Sequence, residues 1–440
     1  MKVTTDDILA VEPSATVHCA LREFDYVDVV DFSTKPDIPP NSRVLWCVTK
    51  STTEEDLSWY DVEFDRSVKV DEVSSKHRDW VVLTESDQIA RAASNRCILI
   101  SDVSTFLTRL HRRVITVVTP VVLGVTGSVG KTTCAALFED VFSQYGKTLR
   151  VYAKRITPLS LFEIVINQLE RKHRYIVMEY AMFHRWHIAE LTDLLEPTVG
   201  VLLNVSSEHA GVDGLQNARD IFMSKKNLLD RARFSFVERE VTRRFKEYLP
   251  GVSVFDWRDF VLPRGFDIEP FMKSRLQYIQ IGAVLSAKEL LIGKVTPADI
   301  AAINRFEPKE NRLRKIQCRR HQIFFDGEVT TPTRLNALGD SMYSPRVLAV
   351  HAVADDEYYH QGMTLQADCL RSALQQFDSV YVPRSVDERF RLLAENCSSD
   401  ATSVVLYDDR IPALPDVTLF VHWGSYWRTH NDESAIIDAF

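Results

Sequence analysis

The stretch Gly124-Val-Thr-Gly127-Ser-Val-Gly130-Lys131-Thr132-Thr133 constrains this chain more than any other. It lies between a β-branched run, Val121–Val125, and a segment with helical spacing, Thr132–Tyr145. In that segment Leu137 and Val141 lie four apart, as do Phe138 and Phe142, and Gly146 stands where a helix would stop. Glycines let a chain curl tightly enough to aim several backbone N–H groups at one anion, and a following helix adds its N-terminal dipole. The loop Gly127, Ser128, Val129, Gly130 with Lys131, Thr132 and Thr133 is therefore a candidate triphosphate cradle. Lys131 would neutralise the β- and γ-phosphates, and the Thr132 hydroxyl would ligate Mg²⁺. The glycines fall at 124, 127 and 130, a shorter form than the usual P-loop, whose first glycine would stand where Val125 is.

A strand–loop–helix start fixes the class of what surrounds it. Tyr175–Met178 and Val199–Val205 are further short apolar runs of the buried parallel type. Strands alternating with helices from residue 116 to 305 predict a doubly wound, mostly parallel central sheet. Residues 1–115 hold short β-rich runs (Tyr26–Val30, Val44–Val48, Trp80–Leu83), a proline-containing stretch Lys35–Asn41 and a closing helix near Thr105–Arg113. They are expected to form a small α/β domain. Residues 306–440 carry strand-like Gln322–Phe325, Val347–Val350, Ser379–Val382, Ser403–Tyr407 and Thr418–His422, and read as a third, Rossmann-like α/β domain without its own phosphate loop. At 440 residues, three domains of ordinary size fit the length.

Composition excludes several roles. A formal charge of −8 argues against a nucleic acid or an anionic membrane as the main partner. Arg231, Arg233, Arg243 and Arg244 interleave with Glu238 and Glu240 and read as a solvated face. The seven cysteines are dispersed with no CxxC pair, as in a reducing compartment. The N-terminus is unlike a signal peptide, and Val114–Val125, interrupted by Thr116, Thr119 and Pro120, is too short to span a bilayer. The expectation is a cytoplasmic protein.

Three later elements suit one chemistry. Tyr175-Ile-Val-Met-Glu179 puts an acid at the carboxyl end of a buried strand, where it would share Mg²⁺ with Thr132. Val201-Leu-Leu-Asn204-Val-Ser-Ser-Glu-His209 runs from a strand into Asn and then His, and Ile221-Phe-Met-Ser-Lys225-Lys226-Asn-Leu carries a lysine pair. Together with the short glycine loop these resemble the Mur ligase family of ATP-dependent amide ligases, and the layout most resembles its MurF type. The resemblance implies that Asn204 contacts the nucleotide, that His209 ligates a second Mg²⁺, and that Lys225, with Lys226 as the alternative, is carbamylated and holds that ion. It also implies nucleotide contacts from Gln280, where the family has asparagine, from Arg312 in Glu-Asn-Arg-Leu, and from Asp326. Lys131, Glu179, His209 and Lys225 are the expected catalytic set, with Thr132, Glu179, His209 and Lys225 as metal ligands.

The resemblance is strongest between Val121 and Lys226. In the first domain Asp31-Phe-Ser-Thr and Leu45-Trp-Cys-Val follow the pattern only weakly, and the arginine of the uridine-binding strand is missing. Between loop and acid stands Lys154-Arg155-Ile-Thr157-Pro158-Leu, and His422-Trp423-Gly424-Ser425 has tryptophan where the nearest subgroup carries lysine. The zinc-ribbon branch needs paired cysteines and is excluded. His184-Arg-Trp-His187 is too loosely spaced for a metal site and reads as a helix surface. What the resemblance implies is an amide ligase working through an acyl phosphate, with ATP and two Mg²⁺ ions and domain closure near Arg312 and Asp326. Its substrates would be small-molecule or peptide carboxylates and amines, a carrier protein being possible, and it would be a monomer. The ATP chemistry is retained while the substrate walls differ, as in a ligase specialised for another metabolite. The alternatives are a cell-wall ligase adding D-alanyl-D-alanine to a UDP-muramoyl tripeptide, a P-loop switch protein and a decayed ligase.

Overall fold

The β-branched and apolar runs become strands in three separate sheets. The structure is a computed structural model. It describes residues 4–17, 29–31, 43–48, 80–93, 97–153, 156–207, 210, 213–261, 274–309, 312, 314–318, 321–329, 332–340, 342, 346–353, 370–386, 388–399, 401–408 and 418–423. The expectations for Lys154-Arg155, His209 and Gly424-Ser425 lie outside these residues, as does the stretch Lys35–Asn41.

The first sheet holds β1 (Thr16–Val17), β2 (Val29–Asp31), β3 (Val44–Val48), β4 (Trp80–Thr84) and β5 (Cys97–Leu99), in the order β1-β5-β4-β3-β2. Only β1 pairs antiparallel; the other pairs are parallel. The second sheet holds β6 (Val121–Thr126), β7 (Lys147–Val151), β8 (His173–Glu179), β9 (Val199–Leu202), β10 (Phe234–Glu238) and β11 (Ser253–Phe255), in the order β11-β10-β9-β6-β8-β7. The third holds β12 (Arg314–Cys318), β13 (His321–Val329), β14 (Val347–Val353), β15 (Ser379–Pro383), β16 (Ser403–Tyr407) and β17 (Thr418–Trp423), in the order β12-β13-β17-β14-β15-β16. There only β12 with β13 is antiparallel. The α/β class is as the alternation predicts.

By its contacts the chain separates into two compact units. One comprises residues 1–122, 146–178 and 193–196. Its core packs Leu45, Leu83, Ile98, Phe106 and Leu110 with Phe162. The helix Val103–Val118 starts on Asp102, whose carboxylate accepts the Thr105 N–H at 2.6 Å. The helix Pro158–Gln168 opens with a capping box from Thr157 and Ser160.

The other unit comprises residues 123–145, 179–192 and 197–440. In it β9 pairs parallel with both β6 and β10, and β10 with β11. The carboxyl ends of β6 and β9 therefore open side by side, where α/β sheets bind ligands. The expected strand Val199–Val205 stops at Leu202. Beyond it Leu203 N donates to Thr126 O at 3.0 Å and the chain turns under the glycine loop. The arginine-rich stretch is not simply a solvated face: Phe234–Glu238 is a strand and Glu238 is 2% exposed. Glu238 caps the next helix by accepting from the N–H groups of Glu240 and Val241, and burial pushes its carboxyl up from the ordinary range.

Candidate nucleotide site

The glycine loop closes into the helix Lys131–Phe142 at Gly130, which adopts φ +83°. That conformation suits glycine, and a Cβ there would come within 2.6 Å of the Gln280 Nε2 atom. The helix begins with no side-chain cap, so its dipole faces the loop. Lys131 and Thr132 open it, and both meet Glu179, the last residue of β8. The Thr132 hydroxyl donates to Glu179 Oε2 at 2.7 Å, and Lys131 Nζ lies 3.8 Å from Glu179 Oε1. An ammonium, a hydroxyl and a carboxylate thus converge at the start of the helix. A hydroxyl and a carboxylate are hard oxygen donors, so the pair fits Mg²⁺.

The loop is held from behind by side chains, one for each of four consecutive carbonyls. Gly127 O accepts from Lys225 Nζ at 3.0 Å and Ser128 O from Lys131 Nζ at 3.3 Å. Val129 O accepts from Asn204 Nδ2 at 2.9 Å and Gly130 O from Gln280 Nε2 at 2.9 Å. Asn204 also receives the N–H groups of Ser128 and Val129 on Oδ1, at 3.0 and 2.9 Å. Ser206 N donates to Ser128 Oγ at 2.9 Å. Asn204 and Gln280, expected to contact the nucleotide, brace its loop in this structure.

Lys225 is fully buried, and Lys226, on a different face of the same helix, pairs with Asp230. Of the lysine pair, Lys225 is thus the one that reaches the loop, through its Nζ on the Gly127 carbonyl. Arg312 is half-buried. Asp326, at the register shift in the β13–β17 pairing, is fully buried and engaged by both Arg334 Nε and Arg334 Nη2. His187 is buried instead of lying on a helix surface, and its Nδ1 accepts the Phe183 N–H at 3.4 Å. No three metal-binding side chains cluster among the described residues.

Sequence reading missed Gln277. It lines a narrow cleft with Thr133, Leu137, Gln280, Ile281 and Phe306. Its Oε1 is buried and has no hydrogen-bond partner among the described residues. The cleft lies between the first turns of the phosphate-loop helix and apolar walls. The signal was present: Gln277 lies three before Gln280, hence on the same helix face.

Comparison with known proteins agrees with this geometry. Residues 125–248 match the Mur ligase middle domain. A UDP-N-acetylmuramoyl-tripeptide–D-alanyl-D-alanine ligase of Synechocystis is 36% identical over 97 residues, 22% of this chain and 21% of that protein. The ligase of the same description from Mycobacterium tuberculosis is 30% identical over 111 residues, 25% of this chain and 21% of its own length. The matched stretch thus spans about a fifth of these relatives. The fold likeness is wider. A crystal structure of MurF from Acinetobacter baumannii superposes with a TM-score of 0.73 at 16% identity, covering 100% of this chain and 99% of that one. The MurF ligase of Thermotoga maritima in complex with ADP gives 0.65 at 18% identity, covering 86% and 92%. The region around the phosphate loop is thus similar to the Mur ligase middle domain, and the fold is similar to that of MurF ligases.

Proposed function

We propose that this chain is an ATP-dependent carboxylate–amine ligase, forming an amide through an acyl phosphate and releasing ADP and phosphate. The meeting of Lys131, Thr132 and Glu179 at an uncapped helix N-terminus carries the reading, since it is built for a metal-bound triphosphate. The base would occupy the cleft beyond Thr133, where Gln277 Oε1 offers an acceptor to an exocyclic amino group. Mg²⁺ would be held by Thr132 Oγ1 and the Glu179 carboxylate and would neutralise charge on the phosphates. Lys131 Nζ would follow the γ-phosphoryl group as a substrate carboxylate oxygen attacks phosphorus and the bond to the β-phosphate oxygen breaks. An amine then attacks the acyl carbon, phosphate leaves and the amine loses its proton. Water would have to be kept from the acyl phosphate, which otherwise hydrolyses.

The substrates are proposed to be small molecules or peptides, in a cytoplasmic setting. Because the family-model match spans residues 125–248 around the phosphate loop, a carboxylate–amine pair other than the cell-wall one is the reading we favour. The test measures ADP and phosphate release from Mg-ATP with UDP-muramoyl tripeptide and D-alanyl-D-alanine, omitting each in turn, with mass detection of a joined product. Lys131→Ala should lose ATP binding and turnover. A joined product would make the chain a cell-wall ligase, while ATP binding without one would direct the search to other pairs. No ATP binding by the wild type overturns the proposal.

A further inference from the structure

We infer that Tyr145, Lys288 and Asp299 are positioning residues, a buried clamp that fixes the spacing of the three helices around the cleft beside Gln277. The inference rests on the proposed function, in which the base of ATP enters that cleft. The helices are Lys131–Phe142, Arg275–Leu291 and Pro297–Asn304. They line the cleft with Leu137, with Gln277 and Ile281, and with Ile303. Residues four or seven apart share one face of a helix. Asp299 stands four before Ile303 and Lys288 seven after Ile281, so each lies on the face that carries a cleft residue. Tyr145 stands in the turn that ends the phosphate-loop helix, where its N–H donates to Phe142 O at 2.9 Å.

The three side chains meet through the Asp299 carboxylate. The Tyr145 hydroxyl donates to Oδ1 at 2.7 Å, and Lys288 Nζ lies 3.0 Å from Oδ2. The lysine and aspartate side chains are 2% and 0% exposed. A buried ion pair is costly unless its remaining donors and acceptors are satisfied. Here the ammonium also donates to the carbonyls of Gly293 and Lys294, so its three hydrogens are all used. The carboxylate also accepts the N–H and the hydroxyl of Thr296, at 2.7 and 2.8 Å. Gly293, at φ +121°, lets the link between the last two helices fold around the ammonium. Apolar residues of the same volume would stabilise such a core as well. What the charged network adds is register, since its bonds on all three helices are met in one arrangement. A second tie holds the far wall: Lys309, next to Pro308 of the cleft, pairs with Glu139 and Asp140 of the phosphate-loop helix at 3.0 and 3.2 Å. Because the cleft is narrow, a small slip of one helix decides whether a flat ring enters.

The test titrates Mg-ATP and magnesium tripolyphosphate separately into the full chain by calorimetry, because tripolyphosphate engages the phosphate loop but has no base. Asp299→Asn should raise the dissociation constant for ATP about ten-fold and leave that for tripolyphosphate within about two-fold. Tyr145→Phe, which keeps the ring and drops the hydroxyl, should show the same selectivity at about three-fold for ATP. Equal weakening of both ligands would mean that the clamp only supports the fold, and unchanged ATP affinity would mean that it does not reach the cleft; either overturns the inference. Should Asp299→Asn not fold, Tyr145→Phe decides it. The wild type separates the two claims. No ATP binding defeats the proposed function, whereas ATP bound no more tightly than tripolyphosphate leaves the phosphate site standing and overturns the clamp's role.

Discussion

Gln277 shows how a single residue can carry more meaning than its motif. Its amide oxygen is buried at the edge of an apolar cleft and lacks a partner. An unsatisfied buried acceptor costs about 1–3 kcal/mol, and a ligand N–H that reaches it returns much of that. Gln277→Leu should therefore stabilise the free protein slightly while raising the dissociation constant for ATP about ten-fold. Calorimetry on both forms checks both signs. Unchanged ATP affinity would remove Gln277 from the site. Gln280, three residues on, should behave differently, because its amide already grips Gly130 O.

At the scale of elements, the helix Val103–Val118 buries His111 in the core of its unit against Phe162, ring centroids 5.3 Å apart. Neither ring nitrogen has a partner among the described residues. Burial, with Arg112 nearby, holds the imidazole down at about 4 instead of 6.5. The folded protein therefore keeps His111 neutral while the unfolded chain protonates it. Its contribution to stability is complete above pH 6.5 and is lost as pH falls from there towards 4, a change of about 3 kcal/mol. His111→Phe should flatten the dependence of the unfolding midpoint on pH across that interval in urea titrations; an unaltered slope would show that other groups set it. This element was only partly legible in sequence: Thr105–Arg113 was expected as a helix, and it runs from Val103 to Val118. Strands with unbroken apolar runs, such as Val44–Val48, matched at both ends. Those that failed had mixed composition. Phe234–Glu238 was hidden among arginines because a strand of mixed composition with half-buried residues carries no apolar run. Of the site, the glycine loop and its acid could be read because their chemistry demands fixed residue types. The bracing roles of Asn204, Gln280 and Lys225 could not, because they depend on which backbone groups a folded loop presents.

For the whole molecule, three sheets share one chain, yet the candidate nucleotide-site residues described above all belong to a single compact unit. Ligand-induced stabilisation should accordingly be read on that unit. Mg-ATP at a hundred times its dissociation constant adds about 2.7 kcal/mol to the transition that includes it. Calorimetric scans should show that transition rise with ATP, and Lys131→Ala should abolish the rise. A uniform upward shift in the Lys131→Ala protein would mean that ATP acts elsewhere. No helix among the described residues is long and apolar enough to cross a membrane.

The helices Thr5–Val11, Asp87–Ala92, Val103–Val118, Pro158–Gln168, Ala218–Arg231, Arg275–Leu291 and Pro297–Asn304 each begin on a side chain that satisfies their first amides. The helix Lys131–Phe142 begins on glycine and has none. Its first turn is thus left without a side-chain cap, and on the proposed function a triphosphate would finish it. The ligand is in that sense a missing residue of the fold. Turnover would then alternate the chain between a completed and an incomplete helix, and the free energy of binding ATP and that of stiffening the first turn would be one quantity, counted from two sides.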